Sequence, residues 1–308
     1  MLDRLPLPRV ALSGPVVVRP LGDGRLVLDE GRVGDPYGGN KVRKLEWLLG
    51  QAQAGGGDIV TIGPAGSHYL LATSVFARRL GLRVHAVAWP QRRSEHAFDN
   101  FRATHAHAEQ VWPARSMGHA VWVAQRAAAT VRVLAGYPAA TWGPGGSNAL
   151  GTLGWVAVGL EVAKLGVPEV WTASGSGGTA AGLRVGLALA GADCEVVAVD
   201  VARGGRAVVE WAGFLVSRLL RRHGVTVPPP GPLRVVHEPS PYGEPARGTA
   251  DAAAPGLDPV YSAKAWAHFE REGRGLFVAT ANTRPLAPLL QGALPELPPR
   301  LAGLLVER

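Results

Sequence analysis

The sequence contains one cysteine, Cys194, among its 308 residues. A single cysteine cannot form an internal disulfide and is typical of proteins in a reducing compartment, so we expect a cytoplasmic location. Long apolar runs are also missing: the best candidate, Ala149–Ala163, is interrupted by glycines and by Glu161. Asp3, Arg4 and several prolines interrupt any apolar region near the start, which does not resemble a signal peptide. We therefore expect no membrane partner.

Runs of basic residues are absent, although the net charge is +8 and the pI is about 10.2. Arginines are scattered, with at most two adjacent, and they do not alternate with aromatic residues. A nucleic-acid-binding surface would need such clusters, so we expect no nucleic-acid partner. A diffuse positive field instead suits a small anionic substrate or a phosphate-bearing cofactor.

Patterns of metal ligands are not present either. His105 and His107 form a close histidine pair, but no cysteine or carboxylate joins them at an established ligand spacing. We interpret them as solvated residues at a helix end and expect no metal site.

Lysine is scarce, so any amine chemistry must choose among the four lysines of the chain, which are Lys41, Lys44, Lys164 and Lys264. Lys41 follows two glycines and Asn40, a good helix N-cap, and apolar residues then recur at helical spacing. Lys41 is therefore predicted in the first turn of a helix, where the local field is positive and favours loss of a proton. Spacing alone favours an ordinary lysine at a helix start.

Apolar strands alternate with helices along the chain and are joined by short glycine turns. This alternation predicts an α/β fold with two open, twisted parallel-sheet domains and helices on both faces. We expect residues 1–50 plus 149–308 to form a large domain and residues 51–148 a small one. Ligands in such folds bind at the carboxyl ends of the strands, and we expect a cleft between the two domains to hold the cofactor.

The most informative glycine turn is Ser174-Gly175-Ser176-Gly177-Gly178-Thr179, between a predicted strand and a predicted helix. Its amides and hydroxyls could bind the phosphate of a phosphomonoester. A dinucleotide site, with Asp200 holding a ribose, is an alternative, although the third glycine of that pattern is replaced. A tight turn without a ligand is the third interpretation.

A second turn, Gly63 to Tyr69, places Ser67 at the start of another predicted helix. The serine could simply be an N-cap. The amide-lined helix start would also suit a substrate carboxylate. A serine hydrolase is not indicated, because no glycine follows Ser67 two residues later.

Several motifs in order resemble one family of pyridoxal-phosphate enzymes, the family of 1-aminocyclopropane-1-carboxylate deaminase and D-cysteine desulfhydrase. The motifs are Gly38 to Glu46, the Ser67 turn, Gly145 to Gly151, Gly175 to Gly182, and Leu257 to Tyr261. The resemblance implies the tryptophan synthase β-like fold (fold type II), pyridoxal 5'-phosphate as cofactor and a homodimer. It also implies an amino-acid lyase or hydrolytic deaminase.

The resemblance assigns roles to individual residues. It implies that Lys41 attaches the cofactor and that Lys44 does not. For the catalytic group it implies Lys41, Ser67, Tyr242 and Tyr261, and for substrate binding Ser67, His68 and Tyr69. For cofactor binding it implies Asn40, Lys41, His68, Gly175, Ser176, Gly177, Gly178, Thr179 and Ser262.

Ser262 falls where the family contacts the pyridine nitrogen of the cofactor. The deaminases have glutamate there, whereas a serine can only share a neutral hydrogen bond, which favours β-elimination from a D-cysteine-like amino acid to a 2-oxo acid and ammonia. Ring-opening deamination is the alternative; a nicotinamide-dependent dehydrogenase and a non-catalytic relative are more remote. The chain departs from the family at His68 and Tyr69, and at Asn282-Thr283, which replaces a Gly-Gly turn.

Overall fold

The computed structural model describes residues 1–21, 23–241, 244, 257–258, 260–290 and 296–307. The chain divides into two compact units. Unit 1 contains Met1–Pro6, Ala11–Trp47 and Ser147–Arg284, and unit 2 contains Leu7–Val10, Leu48–Gly146 and Pro285–Arg308.

Among the described residues the helices are α1 (Lys41–Ala54), α2 (His68–Arg79), α3 (Glu95–His107), α4 (Met117–Ala135), α5 (Ala149–Ala163), α6 (Gly178–Leu189), α7 (Gly205–Arg222), α8 (Ser262–Glu272) and α9 (Pro299–Ala302). The strands are β1 (Val18–Pro20), β2 (Leu26–Asp29), β3 (Asp58–Pro64), β4 (Arg83–Trp89), β5 (Gln91–Arg92), β6 (Gln110–Pro113), β7 (Ala140–Trp142), β8 (Glu169–Ser174), β9 (Glu195–Asp200), β10 (Leu233–His237), β11 (Leu276–Ala279) and β12 (Leu305–Val306).

Unit 1 is built on a six-stranded sheet in the order β1-β2-β11-β8-β9-β10. Apolar residues of α5, α6 and α7 pack on one face of this sheet, and those of α8 pack on the other. Strand β8 is buried along its whole length, as expected for a parallel strand covered on both faces. Because β2, β11, β8 and β9 run parallel, their carboxyl ends lie at one edge of the sheet.

Unit 2 is built on a four-stranded parallel sheet in the order β6-β4-β3-β7. Helix α4 packs its apolar face on β3 and β4, and α2 also packs against these strands. The turn from β3 into α2 contains Ser67.

The predicted alternation of strands and helices is present, and parallel pairs dominate both sheets. Two details differ from the sequence-based expectations. Strand β1 pairs with β2 in the antiparallel sense at the edge of unit 1. Residues 285–308 belong to unit 2 rather than to the larger unit, because β12 pairs with β5 and the Gln91 N–H donates to the Leu304 carbonyl. No helix in the described ranges has the length and apolar character needed to cross a membrane.

A buried ion pair holds the start of α1 within unit 1. The guanidinium of Arg43 donates to both carboxylate oxygens of Glu30, at 2.9 and 3.0 Å, and to the Gly14 carbonyl at 2.8 Å. Burial raises the pKa of Glu30, and the adjacent Arg43 acts in the opposite direction. One turn later, Glu46 accepts hydrogen bonds from the N–H and the hydroxyl of Ser13. The face of α1 that carries Arg43 and Glu46 is therefore fixed to the N-terminal segment.

In unit 2 a second buried carboxylate joins the starts of β3 and β4. Asp58, which is 3% exposed, accepts hydrogen bonds from Arg83 at 2.6 Å and from the Tyr137 hydroxyl at 2.6 Å, and it contacts His85 Nε2 at 3.2 Å. Burial alone would raise the pKa of Asp58, but these hydrogen bonds outweigh it and lower the pKa to about 2. The ionised carboxylate is therefore stabilised in the folded state.

We expect Asp58→Asn to lower the free energy of unfolding at pH 7 by roughly 2 kcal/mol, because the folded state holds the pKa below its unfolded value. This contribution is present above pH 4 and is lost as the pH falls towards 2, so the difference between variant and wild type should shrink in that range. Urea unfolding at pH 7, 5 and 3 measures it. Asp193→Asn, at an exposed site, is the control; a constant difference at all three pH values would contradict the prediction.

Candidate active site

The first turn of α1 is positioned by the end of β11. The backbone N–H of Asn40 donates to the Thr280 carbonyl at 2.9 Å, and its side-chain amide donates to the Thr179 hydroxyl at 3.0 Å. Gly39 has φ 88°, and an added Cβ would lie 3.1 Å from the Thr280 carbonyl oxygen. Lys41, the first residue of the helix, is therefore placed by residues at the carboxyl edge of the unit 1 sheet.

Asn282 and Thr283, which stand in place of the family's Gly-Gly turn, form hydrogen bonds with the segment that precedes α1. The side-chain oxygen of Asn282 accepts the N–H of Gly38 at 2.8 Å and also the N–H of Arg284 at 3.1 Å. The N–H of Thr283 donates to the Gly31 carbonyl at 2.9 Å. The side chain of Asn282, which a glycine would lack, thus supplies a hydrogen bond to the chain just before Lys41.

Lys41 lies in a largely dry environment. Burial lowers the pKa of its amine to about 8, and the negative charge of Asp258 acts in the opposite direction. An amine with this pKa has a substantial neutral fraction near neutral pH and is a competent nucleophile. The surroundings of Lys41 therefore give its amine a lowered pKa, the property that the sequence predicts for it.

The glycine loop of residues 175–179 connects β8 to α6, as the sequence predicts. Gly177 precedes α6 with φ 77°, and an added Cβ would lie 2.6 Å from the Val208 carbonyl oxygen, so a larger residue has no room there. No side chain caps the helix start, which leaves the first-turn amides open to an anion. The hydroxyl of Ser174, at the end of β8, is buried and has no hydrogen-bond partner in the structure.

Lys44 lies beside this loop and is fully buried. Its ammonium donates to the Ser147 hydroxyl at 2.7 Å, and Ser147 in turn shares a hydrogen bond of 2.7 Å with the Ser176 hydroxyl. A Cβ added to Gly178 would lie 2.6 Å from Ser147 Oγ and 3.0 Å from Lys44 Nζ. Burial, and then the charge of Lys41, lower the pKa of Lys44 well below its usual value. An anion in the loop would favour the charged form of Lys44.

The start of α8 carries Tyr261 and Ser262. One carboxylate oxygen of Asp258 accepts the Tyr261 N–H at 2.7 Å, and the other accepts the Ser262 N–H at 3.0 Å. The Ser262 hydroxyl is completely buried and lies 3.1 Å from the Thr280 hydroxyl. The ring of Tyr261 lies beside Gly175 of the glycine loop, 3.2 Å from where a Cβ would be.

The other predicted site residues lie in unit 2. Ser67 is the N-cap of α2, and its hydroxyl accepts the N–H groups of Tyr69 at 3.2 Å and Leu70 at 3.4 Å. His68 is partly exposed. Tyr69 is buried at 2% exposure, and its hydroxyl accepts a hydrogen bond from Thr61 at 3.2 Å, so its ring packs within the unit.

Tyr242 lies outside the described residues. Asp200, the ribose ligand of the dinucleotide alternative, accepts hydrogen bonds from three backbone N–H groups of residues 202–205 that close its own turn, which leaves that alternative without support. The remaining lysines are engaged elsewhere: Lys264 donates to the Pro241 carbonyl and exposed Lys164 pairs with Glu161. Among the described residues no cluster of three or more His, Cys, Asp or Glu side chains could hold a metal ion.

Sequence reasoning missed four residues of this site: Lys44, Ser147, Asp258 and Thr280. The proximity of Lys44 to Lys41 could have been predicted, because residues three apart lie on the same side of a helix. Ser147 and Asp258 lie within motifs of the family resemblance, whereas Thr280 is joined to the site only by folding.

The arrangement fits pyridoxal phosphate. The open amides of α6, the hydroxyls of Ser176 and Thr179 and the cation of Lys44 would bind its phosphate, and the orphan hydroxyl of Ser174 lies at the same loop. Lys41 offers an amine for covalent attachment, and Ser262 offers a buried hydroxyl.

Comparison with known proteins gives matches over most of the chain. Residues 26–270 match the family described as pyridoxal-phosphate dependent enzymes. A crystal structure described as an ACC deaminase homologue has a TM-score of 0.76 at 26% identity and covers 92% of this chain and 96% of its own.

Three relatives illustrate the similarity in sequence. Nocardicin C-9' epimerase of Nocardia uniformis is 32% identical over 94% of this chain and 98% of its own length. A protein of Pyrococcus abyssi, named only provisionally as 1-aminocyclopropane-1-carboxylate deaminase, is 30% identical over 82% of this chain and 80% of its own. D-cysteine desulfhydrase of Klebsiella pneumoniae is 34% identical over 54% and 53%. With a family match over most of its length, the chain belongs to the pyridoxal-phosphate dependent enzymes.

Proposed function

We propose that the protein is a pyridoxal-phosphate-dependent lyase that removes a β-substituent from a small amino acid of the D-cysteine type. With the uptake of one water molecule, whose oxygen becomes the carbonyl oxygen, the products would be a 2-oxo acid, ammonia and the leaving group, which is sulfide when the substrate is D-cysteine. The relative named D-cysteine desulfhydrase supports this choice, although its match spans about half of each chain.

The observation that carries the proposal is the environment of Ser262. Its buried hydroxyl is hydrogen-bonded to another neutral hydroxyl, that of Thr280, at 3.1 Å. We assign Ser262 to the pyridine nitrogen. A neutral partner stabilises negative charge in the ring less than a carboxylate would, because it does not hold the nitrogen protonated. Expulsion of a thiolate requires less of this stabilisation than opening of a cyclopropane ring.

When bound, pyridoxal phosphate supplies an electron-accepting ring joined to the substrate nitrogen. The chain's residues do the rest. Lys41 attaches the cofactor and, once released, takes the α-proton with its neutral amine. Tyr261, whose ring lies beside the glycine loop, is a second group able to move a proton. We assign a substrate-binding role to Ser67 and His68.

Attachment at Lys41 can be tested directly. We expect the purified protein to be yellow and borohydride reduction to fix the cofactor to Lys41, as identified by peptide mass spectrometry. Lys41→Ala should lose the covalent label, whereas Lys164→Ala, at an exposed lysine, should keep it. Lys44→Arg is the matched variant within the same peptide and should also keep the label. A label on Lys44 or Lys264 would contradict the assignment.

The influence of Asp258 on the pKa of Lys41 predicts that replacing Asp258 changes the reactivity of the Lys41 amine in the cofactor-free protein. Asp258→Asn removes the negative charge that acts to raise the pKa of Lys41, so this pKa should fall below about 8. The neutral fraction at pH 7 should then rise, and acetylation of Lys41 should be about threefold faster. Mass spectrometry of the labelled peptide measures the rate, with exposed Lys164 as the internal control. An unchanged or slower rate would refute this influence.

The reaction itself is tested by turnover. We expect D-cysteine to give equal amounts of sulfide and 2-oxo acid, and 1-aminocyclopropane-1-carboxylate to give little 2-oxo acid. Ser262→Ala should lower kcat/KM for D-cysteine by about tenfold through loss of a hydrogen bond in a buried site. Ser262→Thr, which keeps the hydroxyl, should lose less.

Two other results would replace the proposal. Release of a 2-oxo acid from the cyclopropane substrate alone would identify a deaminase, as the name of the structural neighbour suggests. Inversion at the α-carbon without any 2-oxo acid would identify an epimerase. The nearly full-length match to nocardicin C-9' epimerase makes this the second candidate. Chiral chromatography of the recovered amino acid distinguishes these results.

A further inference from the structure

Two histidine rings meet at the N-terminal ends of α2 and α3 in unit 2. The Nε2 atoms of His68 and His96 are 2.8 Å apart, their ring centroids are 4.7 Å apart and the planes are tilted by 43°. His68 is one of the two residues that depart from the family pattern at the Ser67 turn. His96 lies 28 residues away in the sequence.

The backbone around this contact is held closely, so the approach of the rings is a feature of the fold. The N–H of Gly66 donates to Gln91 Oε1 at 3.0 Å, and its carbonyl accepts from Asn100 Nδ2 at 3.1 Å. A Cβ on Gly66 would lie 2.5 Å from the Cβ of Ala97. Gln91 of β5 and Asn100 of α3 therefore hold both backbone hydrogen-bonding groups of the residue just before Ser67.

The distance between the two Nε2 atoms restricts the protons on the rings. A hydrogen bond between two imidazole nitrogens needs one protonated and one unprotonated nitrogen. Whichever ring accepts must therefore carry its own proton on Nδ1. Two cationic rings would both carry a proton on Nε2 and could not form this bond, so the bonded pair carries at most one positive charge.

We propose that His96 is a positioning residue that fixes the orientation of the His68 ring and the nitrogen on which its proton lies. The inference rests on the proposed function, in which His68 contacts the substrate. His96 is exposed and the His68 ring is partly exposed, so a proton taken up from water by His96 can reach His68 through the hydrogen bond between them. His96 thereby prepares His68 for an amino-acid carboxylate without touching the substrate.

The first test is the tautomeric state of the two rings in the cofactor-loaded protein. With 15N-labelled histidine, long-range 1H–15N spectra at pH 9, assigned with His68→Gln and His96→Gln, should show opposite tautomers for these two residues. In His96→Leu the ring nitrogens of His68 should move towards the values of a solvent-exposed imidazole. Identical tautomers in the wild type, or no change in His68 on substitution, would overturn the inference.

The second test is kinetic and uses D-cysteine. Loss of one hydrogen bond to a substrate-binding group should raise KM about fivefold in His96→Leu, with kcat nearly unchanged, because binding is weakened equally before and during the reaction. His96→Gln, whose amide can donate or accept, should restore most of the loss. His105→Leu, on the same helix, is the matched control. An unchanged KM in His96→Leu would refute the positioning role.

The two tests separate this inference from the proposed function. The spectra require no turnover, so the pairing of the rings is decided even if D-cysteine is not a substrate. Turnover of D-cysteine by all variants with the wild-type KM would leave the proposed function intact and reject the role of His96.

Discussion

The candidate site of unit 1 depends on Thr280, the residue that follows β11. Its carbonyl accepts the N–H of Asn40, and its hydroxyl meets that of Ser262. Thr280 therefore positions both the start of α1, where Lys41 lies, and the hydroxyl of Ser262, which we assign to the pyridine nitrogen. Both hydrogen bonds are made at the carboxyl edge of a rigid parallel sheet, where ligand sites of α/β folds are found. The amine and the hydroxyl that we assign to opposite parts of one cofactor thus share a common support, Thr280.

A second constraint is electrostatic. Lys41 and Lys44 are three residues apart on α1, and burial lowers the pKa of both amines. Two desolvated amines this close are favourable only if one stays neutral or an anion approaches. The open amides of α6 beside Lys44 provide the place for that anion. A phosphate there would keep Lys44 charged, and the positive charge of Lys44 would in turn help to keep Lys41 neutral and nucleophilic.

The sequence was sufficient for the order of strands and helices, for the glycine loop and for the place of Lys41 in the first turn of a helix, while the role of Lys41 stays a prediction. These features are local: apolar runs, glycine turns and helical spacing are all readable over a few residues. The partners that complete the site are not local. Asp258 and Thr280 reach α1 from more than two hundred residues away, and spacing cannot show that Lys44 is buried. The assignment of residues 285–308 to the larger unit was wrong for the same reason, since the pairing of β12 with β5 leaves no local signal.

The departures from the family pattern have different physical consequences. Asn282 replaces a glycine turn and compensates by accepting the Gly38 N–H, so it preserves the support of Lys41. The histidine at position 68 is a different kind of departure, because its imidazole carries a movable proton. That difference would be a liability if the ring were free to turn, but it meets His96 at hydrogen-bond distance. A substitution accompanied by its own partner supports the proposed role of the His68 ring in recognising the substrate.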